Sequence, residues 1–420
     1  MVKRHAIVVG AGVVGITTAW ALAESGWRVS LLDARGAGQG TSLRNGGQLS
    51  YRYVAPLADA GVPLKALRWL LDPDGPLRWR PQADAVQWSW LGRFLALCNR
   101  RDNRATAARL ARLGQYSRAC LHSLMQGHGV QGFDWEQAGK LVLYRSDSAL
   151  RAAARAMDAS QQCWDRAQCM AHEPALEHLG PRVAGGIHSH DEAVADCHAF
   201  CVSLMARLQV HPNFEGMVLD TVQRLVPDVK QVATQRVAVI GRQASYGADA
   251  VVLAAGIASR SLALPLGLKL PLYPLKGYSL DAPIDAEHAA PRASITDFDR
   301  KVLYARIGGR LRVAAMVDLV GQNESIDQRR LQSLLRVARA DMPRAGDYAR
   351  AQPWAGLRPA TPSGVPIIGP SGTPGLWLNL GHGALGFTFA AGSAQLLAAQ
   401  MNGQQNPPML QGLSFALGTA

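Results

Sequence analysis

"HAIVVGAGVVGITTAWALAESGWRVSLLDA", residues 5–34, sets an apolar run, three spaced glycines, a helical repeat and a second apolar run within about thirty residues. His5 to Val9 reads as a buried strand. Ile16, Ala19, Trp20 and Ala23 then recur at helical spacing, and Gly26 stands where a helix should stop. Val29 to Leu32 supplies a second buried strand, so the stretch has the order and length of a βαβ unit. Gly10, Gly12 and Gly15 fall on the strand-to-helix turn as G-x-G-x-x-G, one for the tight turn, one for close approach to a pyrophosphate, one for packing of helix on strand. A pyrophosphate there would meet the N-terminus of the helix starting near Val13 and Val14, where unpaired N–H groups and the helix dipole favour negative charge. Asp33, followed by Ala34 and Arg35, closes the unit. Its carboxylate is placed to accept hydrogen bonds from a ribose and would repel a 2′-phosphate, which disfavours NADP. NAD and FAD both stay open on this stretch alone.

The 420 residues leave room for two domains, and 48% hydrophobic against 18% charged residues excludes extended disorder. The formal net charge is +13, with arginines dense between Arg93 and Arg118. Such a stretch suits nucleic acid, an anionic membrane surface or a solvated helix face. No nucleic-acid motif and no interleaved aromatics accompany it, so the solvated face is preferred and no nucleic-acid partner is expected. The six cysteines form no C-x-x-C pair, and the opening residues enter a strand with no charged and then apolar leader; a cytoplasmic setting is expected. "ALGFTFAAGSAQLLAAQM", 384–401, approaches membrane-spanning length, but Gly392, Ser393, Gln395 and Gln400 favour a helix buried against a cofactor. "HSHDEAVADCHAFC", 188–201, has zinc-ligand residue types without the spacing of a four-ligand site, so no metal is expected.

Farther along, "RGAGQGTSLRNGGQLS" is glycine-rich enough to require close approach or positive φ. Helical patterns are expected between Leu64 and Met125, from Asp147 to about Glu173, from Ala199 to Leu208 and from Ser325 to about Ala340. Strands are expected at "GKLVLYRS", near Val218–Val226, at Val237–Ile240, at "LYPLKGYSL" and at "RLRVAAMVDLV". "ADAVVLAAG", 248–256, reads as another buried strand whose end opens onto the dinucleotide. The tail then separates the two cofactors. Gly381, Gly383 and Gly386 form a second glycine-rich strand-to-helix turn, which would aim another helix N-terminus at an acceptor such as a flavin's pyrimidine edge.

The N-terminal G-x-G-x-x-G with Asp33, "TSLRNGGQLS", "YPLKGYS", "GLRPATPSGVPIIG" and "GHGALGFT" occur in one order along essentially the whole chain. Together they resemble the FAD-dependent D-amino-acid oxidase superfamily. The resemblance implies an α/β fold (α+β overall) with a Rossmann-like FAD-binding domain and a mixed-sheet substrate domain, and FAD as cofactor. It divides the chain into a discontinuous FAD-binding domain at 1–80, 190–262 and 352–420, and a substrate domain at 81–189 and 263–351. It implies that Thr41 and Ser42 lie near the pyrophosphate, with Gly46, Gly47 and Gln48 beside the isoalloxazine. Val222 would meet the adenine end, and Ala254, Ala255 and Gly256 would pass under the dinucleotide. Gly381, His382, Gly383, Ala384, Leu385 and Gly386 would cap the flavin pyrimidine edge.

Arg358 in "GLRP" matches the arginine that binds the substrate carboxylate in related flavoproteins, a task suited to a planar guanidinium. Tyr53 and Tyr278 are the candidate hydroxyls near the substrate. The implied reaction is oxidative deamination of a small-molecule D-amino acid by hydride transfer to flavin N5, with electrons passed to a quinone or other acceptor; charge alone, not the resemblance, raises a docking of the Arg93–Arg118 region on the inner membrane face. An alternative within the superfamily is an oxidase or dehydrogenase of cyclic or N-substituted amino acids. A NAD-linked dehydrogenase accounts for the first sixty residues but not for the tail, and a basic membrane-binding protein accounts for charge alone. Two departures stand out. Ala314 and Ala315 occupy positions where relatives usually have paired glycines before an acid, here Asp318, and Ala384 replaces an arginine frequent in glycine oxidases, which disfavours a glycine or sarcosine specialist.

Overall fold

His5–Val9 forms strand β1 and takes parallel partners on both sides, β2 (Arg28–Asp33) and β13 (Ala250–Leu253). This is the arrangement an unbroken apolar strand needs, because both faces of a central parallel strand are covered. The computed structural model describes residues 3–227 and 237–419. The first sheet has six strands in the order β19-β20-β13-β1-β2-β9, with β9 at Phe214–Leu219, β20 at Leu376–Leu380 and β19 at Ile367–Pro370, antiparallel at the edge. Helix α1 (Val13–Glu24) leaves the end of β1 and packs against α10 (Gly386–Met401), so the two ends of the chain share one core. The Thr17 hydroxyl donates to the Ala390 carbonyl at 3.3 Å, and Asn379 donates to Thr18 at 2.9 Å.

Helix α10 buries Phe389, Leu396 and Leu397 completely, each worth about 1.5–3 kcal/mol. Its far side meets α4 (Arg100–Gly127) at Gly392, whose N–H donates to Ser117 Oγ at 3.0 Å. Helix α7 (Cys197–Gln209) completes this core with Cys197, Phe200, Cys201 and Leu204 on its buried face. No described helix is long and apolar enough to cross a membrane.

The second sheet has nine strands. At one end of it β14 (Tyr273–Pro283) lies antiparallel between the edge strand β18 (Gln352–Ala360) and β17 (Arg310–Leu319). It continues through β16 (Val302–Ile307), β15 (Ser294–Asp297), β5 (Lys140–Tyr144), β7 (Gly185–Ser189) and β6 (Gln161–Asp165), with β4 (Leu77–Trp79) beside β17. Helix α9 (Gln328–Asp341) covers one face through Leu331, Leu334 and Ala338, packed with Tyr278 and Leu280. The other face meets the first sheet's loops. A two-stranded joint, β3 (Gln48–Leu49) with β8 (Ala193–Val194), stitches the halves together. Strands β10 (Val222–Pro227), β11 (Val237–Gly241) and β12 (Ser245–Gly247) form a small antiparallel sheet. The remaining helices are α2 (Val62–Leu71), α3 (Ala85–Ala96), α5 (Asp147–Ala154), α6 (Arg166–His172) and α8 (Ser259–Ala263).

The single helix expected over Asp147–Glu173 is instead α5, β6 and α6; β6 pairs with β7, and Asp165 caps α6 with a capping box. The strand expected over Val218–Val226 breaks at Asp220, whose carboxylate takes the Arg242 and Gln243 N–H groups and the Tyr246 hydroxyl. The expected domain limits also shift. Leu77–Trp79 and Gln352–Ala360 pair inside the second sheet, while Leu110, Leu113 and Leu121 of α4 pack with α1 and α10. Nor is the arginine-rich stretch a purely solvated face: Arg112 donates to the Met409 and Gln411 carbonyls, and Arg118 pairs with Asp191 at 2.8 Å.

A Cβ at Gly392 would lie 2.8 Å from Ser117 Cα, so α4 would have to move. Gly392→Ala is expected to destabilise the protein by about 1–3 kcal/mol, read as a lower denaturant midpoint.

Candidate active site

At Gly10 (φ +107°) a Cβ would fall 2.6 Å from the Ala254 carbonyl oxygen, and at Gly15 one would fall 1.7 Å from the Gly10 oxygen. Strand, turn, helix and the end of β13 therefore touch backbone to backbone. Gly12 differs: its nearest neighbour is Ser42 Oγ at 3.5 Å, so the space before α1 is open. Gly12 offers no side chain to cap α1, and Ser42 Oγ accepts only the Val13 N–H, at 3.0 Å. The first turn at Val14 and Gly15 is thus presented to an anion. Asp33 accepts from Ala11 N at 2.8 Å, Arg35 N at 2.7 Å and Gly36 N at 3.0 Å, holding the turn and the following loop while keeping acceptor capacity for a ribose. Ala254, Ala255 and Gly256 leave β13 directly beneath Gly10, and Thr41 and Ser42 open a 3₁₀ turn beside it. Val222 packs with Leu32 and Val218 in the cluster below the end of β2.

Gly46 and Gly47 run between the second sheet and the joint. A Cβ on Gly46 would sit 3.3 Å from Leu303, and Gly47 has φ +72° with Ile307 against its missing side chain. The tail approaches the same segment. Gly381 (φ +82°) and Gly383 (φ +55°) turn the chain through His382, Ala384 and Leu385 into α10, which begins at Gly386 with no side-chain cap. The Thr388 hydroxyl reaches the Gln48 carbonyl at 3.5 Å. Two helix starts without an N-cap side chain, α1 and α10, therefore lie beside glycine-rich turns, each offering free N–H groups to an anion or an electron-rich edge.

On the second sheet, Gly277 of β14 stands directly opposite Gly356 of β18. The Arg358 guanidinium lies across Gly277, where a Cβ would be 2.3 Å from its central carbon, and the Trp354 indole lies across Gly356. Both side chains are partly exposed and converge on one glycine pair. Arg358 donates to the Met316 carbonyl at 2.9 Å. It makes no ion pair among the described residues; burial lowers its pKa and Asp318 opposes that shift. The carbonyl is aimed by a β-bulge: between Lys276 and Tyr278 of β14, β17 carries an extra residue, and Met316 adopts φ +70°. A positive φ on a methionine costs on the order of 1–3 kcal/mol, strain stored at the guanidinium.

The chain matches the model of DAO, the FAD dependent oxidoreductases, over residues 5–400. It belongs to this family. It is 51% identical over 410 residues to D-amino acid dehydrogenase 2 of Pseudomonas aeruginosa, covering 97% of this chain and 96% of that one. To D-amino acid dehydrogenase 2 of Ralstonia nicotianae it is 47% identical, covering 93% and 95%. Among solved structures, glycine oxidase from Geobacillus kaustophilus superposes with a TM-score of 0.73 at 18% identity over 99% of both chains, a likeness of fold. The residues of this cradle fit the family's FAD: a glycine turn at the uncapped start of α1, Asp33 with acceptor capacity left for a ribose, and a second uncapped helix start at α10 that meets Gln48 through Thr388. Gly12, Gly256 and Gly383 leave open space beside the backbone, while Gly46, Gly47 and Gly381 let the chain run close against Leu303, Ile307 and Thr361.

Within this FAD-dependent oxidoreductase, Tyr278, expected as a hydroxyl near the substrate, lies on the face of β14 opposite Gly277 and Arg358. Side chains alternate along β14, so Tyr278 points away from the Gly277 face, and its hydroxyl donates to Asp318 at 3.2 Å behind the sheet, where Arg330 pairs with the same acid at 2.7 Å. Tyr53 packs against Val142, Tyr144 and Ile187, and burial pushes its pKa up. Its connection to the cradle runs through the Lys140 ammonium, 4.6 Å above its ring. The two alanines also separate: Ala314 faces Gly46 while Ala315 enters the core, and the strained residue is Met316, which the sequence reading passed over. Trp354 was missed too, although a glycine two residues from it and another in "LKGYS" were the available signals.

His382 is buried and shares a hydrogen bond of 3.1 Å with Ser393, and desolvation lowers its pKa to about 3. In the unfolded chain the group titrates near 6.5, so between about 6.5 and 3 the unfolded state holds the extra proton. Its contribution to stability is therefore lost progressively as pH falls through that window. Denaturation midpoints measured from pH 7 to pH 4 should show a shallower decline in His382→Gln than in the parent; parallel declines would contradict this.

Proposed function

We propose that the chain is a D-amino acid dehydrogenase, converting a D-amino acid to its 2-oxo acid and ammonia. The observation that carries this reading is Arg358, a guanidinium lying across Gly277 that makes no ion pair among the described residues. FAD supplies the hydride acceptor at N5. The protein's own task is orientation. Arg358 clamps the substrate carboxylate with two parallel charge-assisted bonds, and the Met316 carbonyl holds the guanidinium's other side. Gly277 and Gly356 allow both Arg358 and Trp354 to lie flat, which leaves depth for a small zwitterion beside the cradle. With the carboxylate fixed, the α-hydrogen can be presented to the ring from a neutral amine, so no side-chain base is obligatory. The imino acid released hydrolyses in water to the oxo acid and ammonia. The identities of 51% and 47% to proteins named D-amino acid dehydrogenase support this substrate class.

The electrons pass to a quinone or another electron-transfer partner, and α2 supports a peripheral membrane contact. None of its residues is buried; Leu64, Leu67 and Leu71 are exposed by 77%, 62% and 85%, with Lys65 and Arg68 on the same helix. An apolar stripe flanked by cations is what an interfacial helix presents to anionic lipid.

A panel of D- and L-amino acids, including cyclic imino acids, with an artificial dye acceptor tests the reaction: D-isomers should reduce the dye, and turnover confined to L-isomers or glycine would refute the reading. Arg358→Met should lower kcat/KM by about a hundredfold, mostly through KM, since about 3 kcal/mol of charge-assisted bonding is lost. In flotation at low salt the protein should rise with anionic vesicles and not with neutral ones. Leu64→Ser with Leu67→Ser should abolish that.

A further inference from the structure

Lys140, the first residue of β5, is 3% exposed. Its ammonium donates to Gln48 Oε1 at 2.7 Å and to Ser50 Oγ at 2.8 Å and lies over the Tyr53 ring, yet it forms no ion pair among the described residues. The acid it feels most strongly is Glu192, whose two oxygens are occupied by the Tyr51 N–H at 2.8 Å and the Arg52 N–H at 2.9 Å. Burial lowers the lysine's pKa and raises that of Glu192, each opposed by the other's charge. An ammonium held by neutral acceptors away from water is costly, and the apolar neighbours Leu141 and Leu143 show that β5 does not need it for packing.

The ammonium's contacts lead to the cradle. Because Gln48 Oε1 is turned to Lys140, its amide nitrogen is turned to Ser294, and its main-chain carbonyl accepts from Thr388 in the first turn of α10. Residues 48–52 are pinned from one side by Lys140 and from the other by Glu192. Asp191, next to it, binds Arg52 and Arg118.

We propose that Lys140 is a positioning residue for the flavin: its ammonium fixes Gln48 and Ser50 beside the ring and keeps a positive charge behind it that favours electron uptake. This rests on the reading of residues 46–48 as the flavin-side segment. A fixed cation in a water-poor interior acts over several ångströms without contact. The test is the midpoint potential of the FAD-loaded protein, measured against redox dyes, together with the FAD dissociation constant. Lys140→Met should retain FAD and shift the reduction equilibrium at least tenfold against the reduced form, which is about 30 mV for a two-electron couple. An unchanged potential in a yellow variant, even one with lowered thermal stability, overturns the proposal and leaves the FAD site standing. Parent protein that takes up no FAD refutes the site itself. If Lys140→Met does not fold, Gln48→Met keeps the charge and removes the side chain that it orients. A changed flavin absorbance spectrum and weaker FAD binding are then expected, and parent-like values of both overturn the proposal.

Discussion

The backbone contact between the Gly10 carbonyl and Gly15, with the end of β13 pressed beneath, is the constraint on which the rest of the structure depends. It sets the height of α1 over β1, and so fixes where an anion meets that helix. It also sets how close α10 can come, because α10 packs on α1 through small residues and the Thr17 to Ala390 bond. A single methyl at Gly15 would enter another residue's backbone, a displacement that no side-chain rotation relieves. The second sheet hangs from this frame through the short joint of β3 and β8 and through the charged cluster of Arg44, Arg312 and Asp281. Arg312 has no exposed surface and also donates to the Asn45 carbonyl, so the loop carrying Gly46 and Gly47 is tied to the sheet that carries Arg358.

Much of this architecture was legible in the sequence because it rests on local periodicity. An apolar run, a glycine turn and a helical repeat have few alternative readings, and both cradle helices and the α/β class follow from them. Arg358 was legible only through resemblance. What the sequence concealed depends on register and pairing. The side of the sheet that Tyr278 occupies follows from its place on the strand next to Arg358's and one residue from Gly277. The strain at Met316 follows from a bulge that exists only once β14 and β17 are aligned. The break between α5 and α6 has the same origin: residues 161–165 have no pronounced strand pattern and become β6 because β7 offers an edge. Lys140 gave no signal in its neighbourhood, since "GKLVLY" reads as an ordinary strand start and its partners lie about ninety positions earlier.

The site divides its work between rigid and costly elements. Glycines and uncapped helix ends are cheap and hold the cofactor's shape. The energetically expensive groups are few: a strained methionine, a desolvated histidine, an unpaired guanidinium and a buried ammonium. Strain and unpaired charge of this kind persist only where surrounding packing over-determines them, and they concentrate at functional sites. Here Met316 holds Arg358, Lys140 holds Gln48, and His382 lies in the turn that starts α10.

The cradle's two sides lie more than 350 residues apart along the chain, joined by contacts such as Asn379 to Thr18. During translation the first βαβ unit emerges early, but its partner helix α10 follows more than 350 residues later. Until then the flank of α1 that meets α10, where Thr17 donates to Ala390, is uncovered. Nascent chains of this protein therefore pass through a long interval in which an apolar surface stands open, a natural site for chaperone capture, and prosthetic-group loading waits for α10.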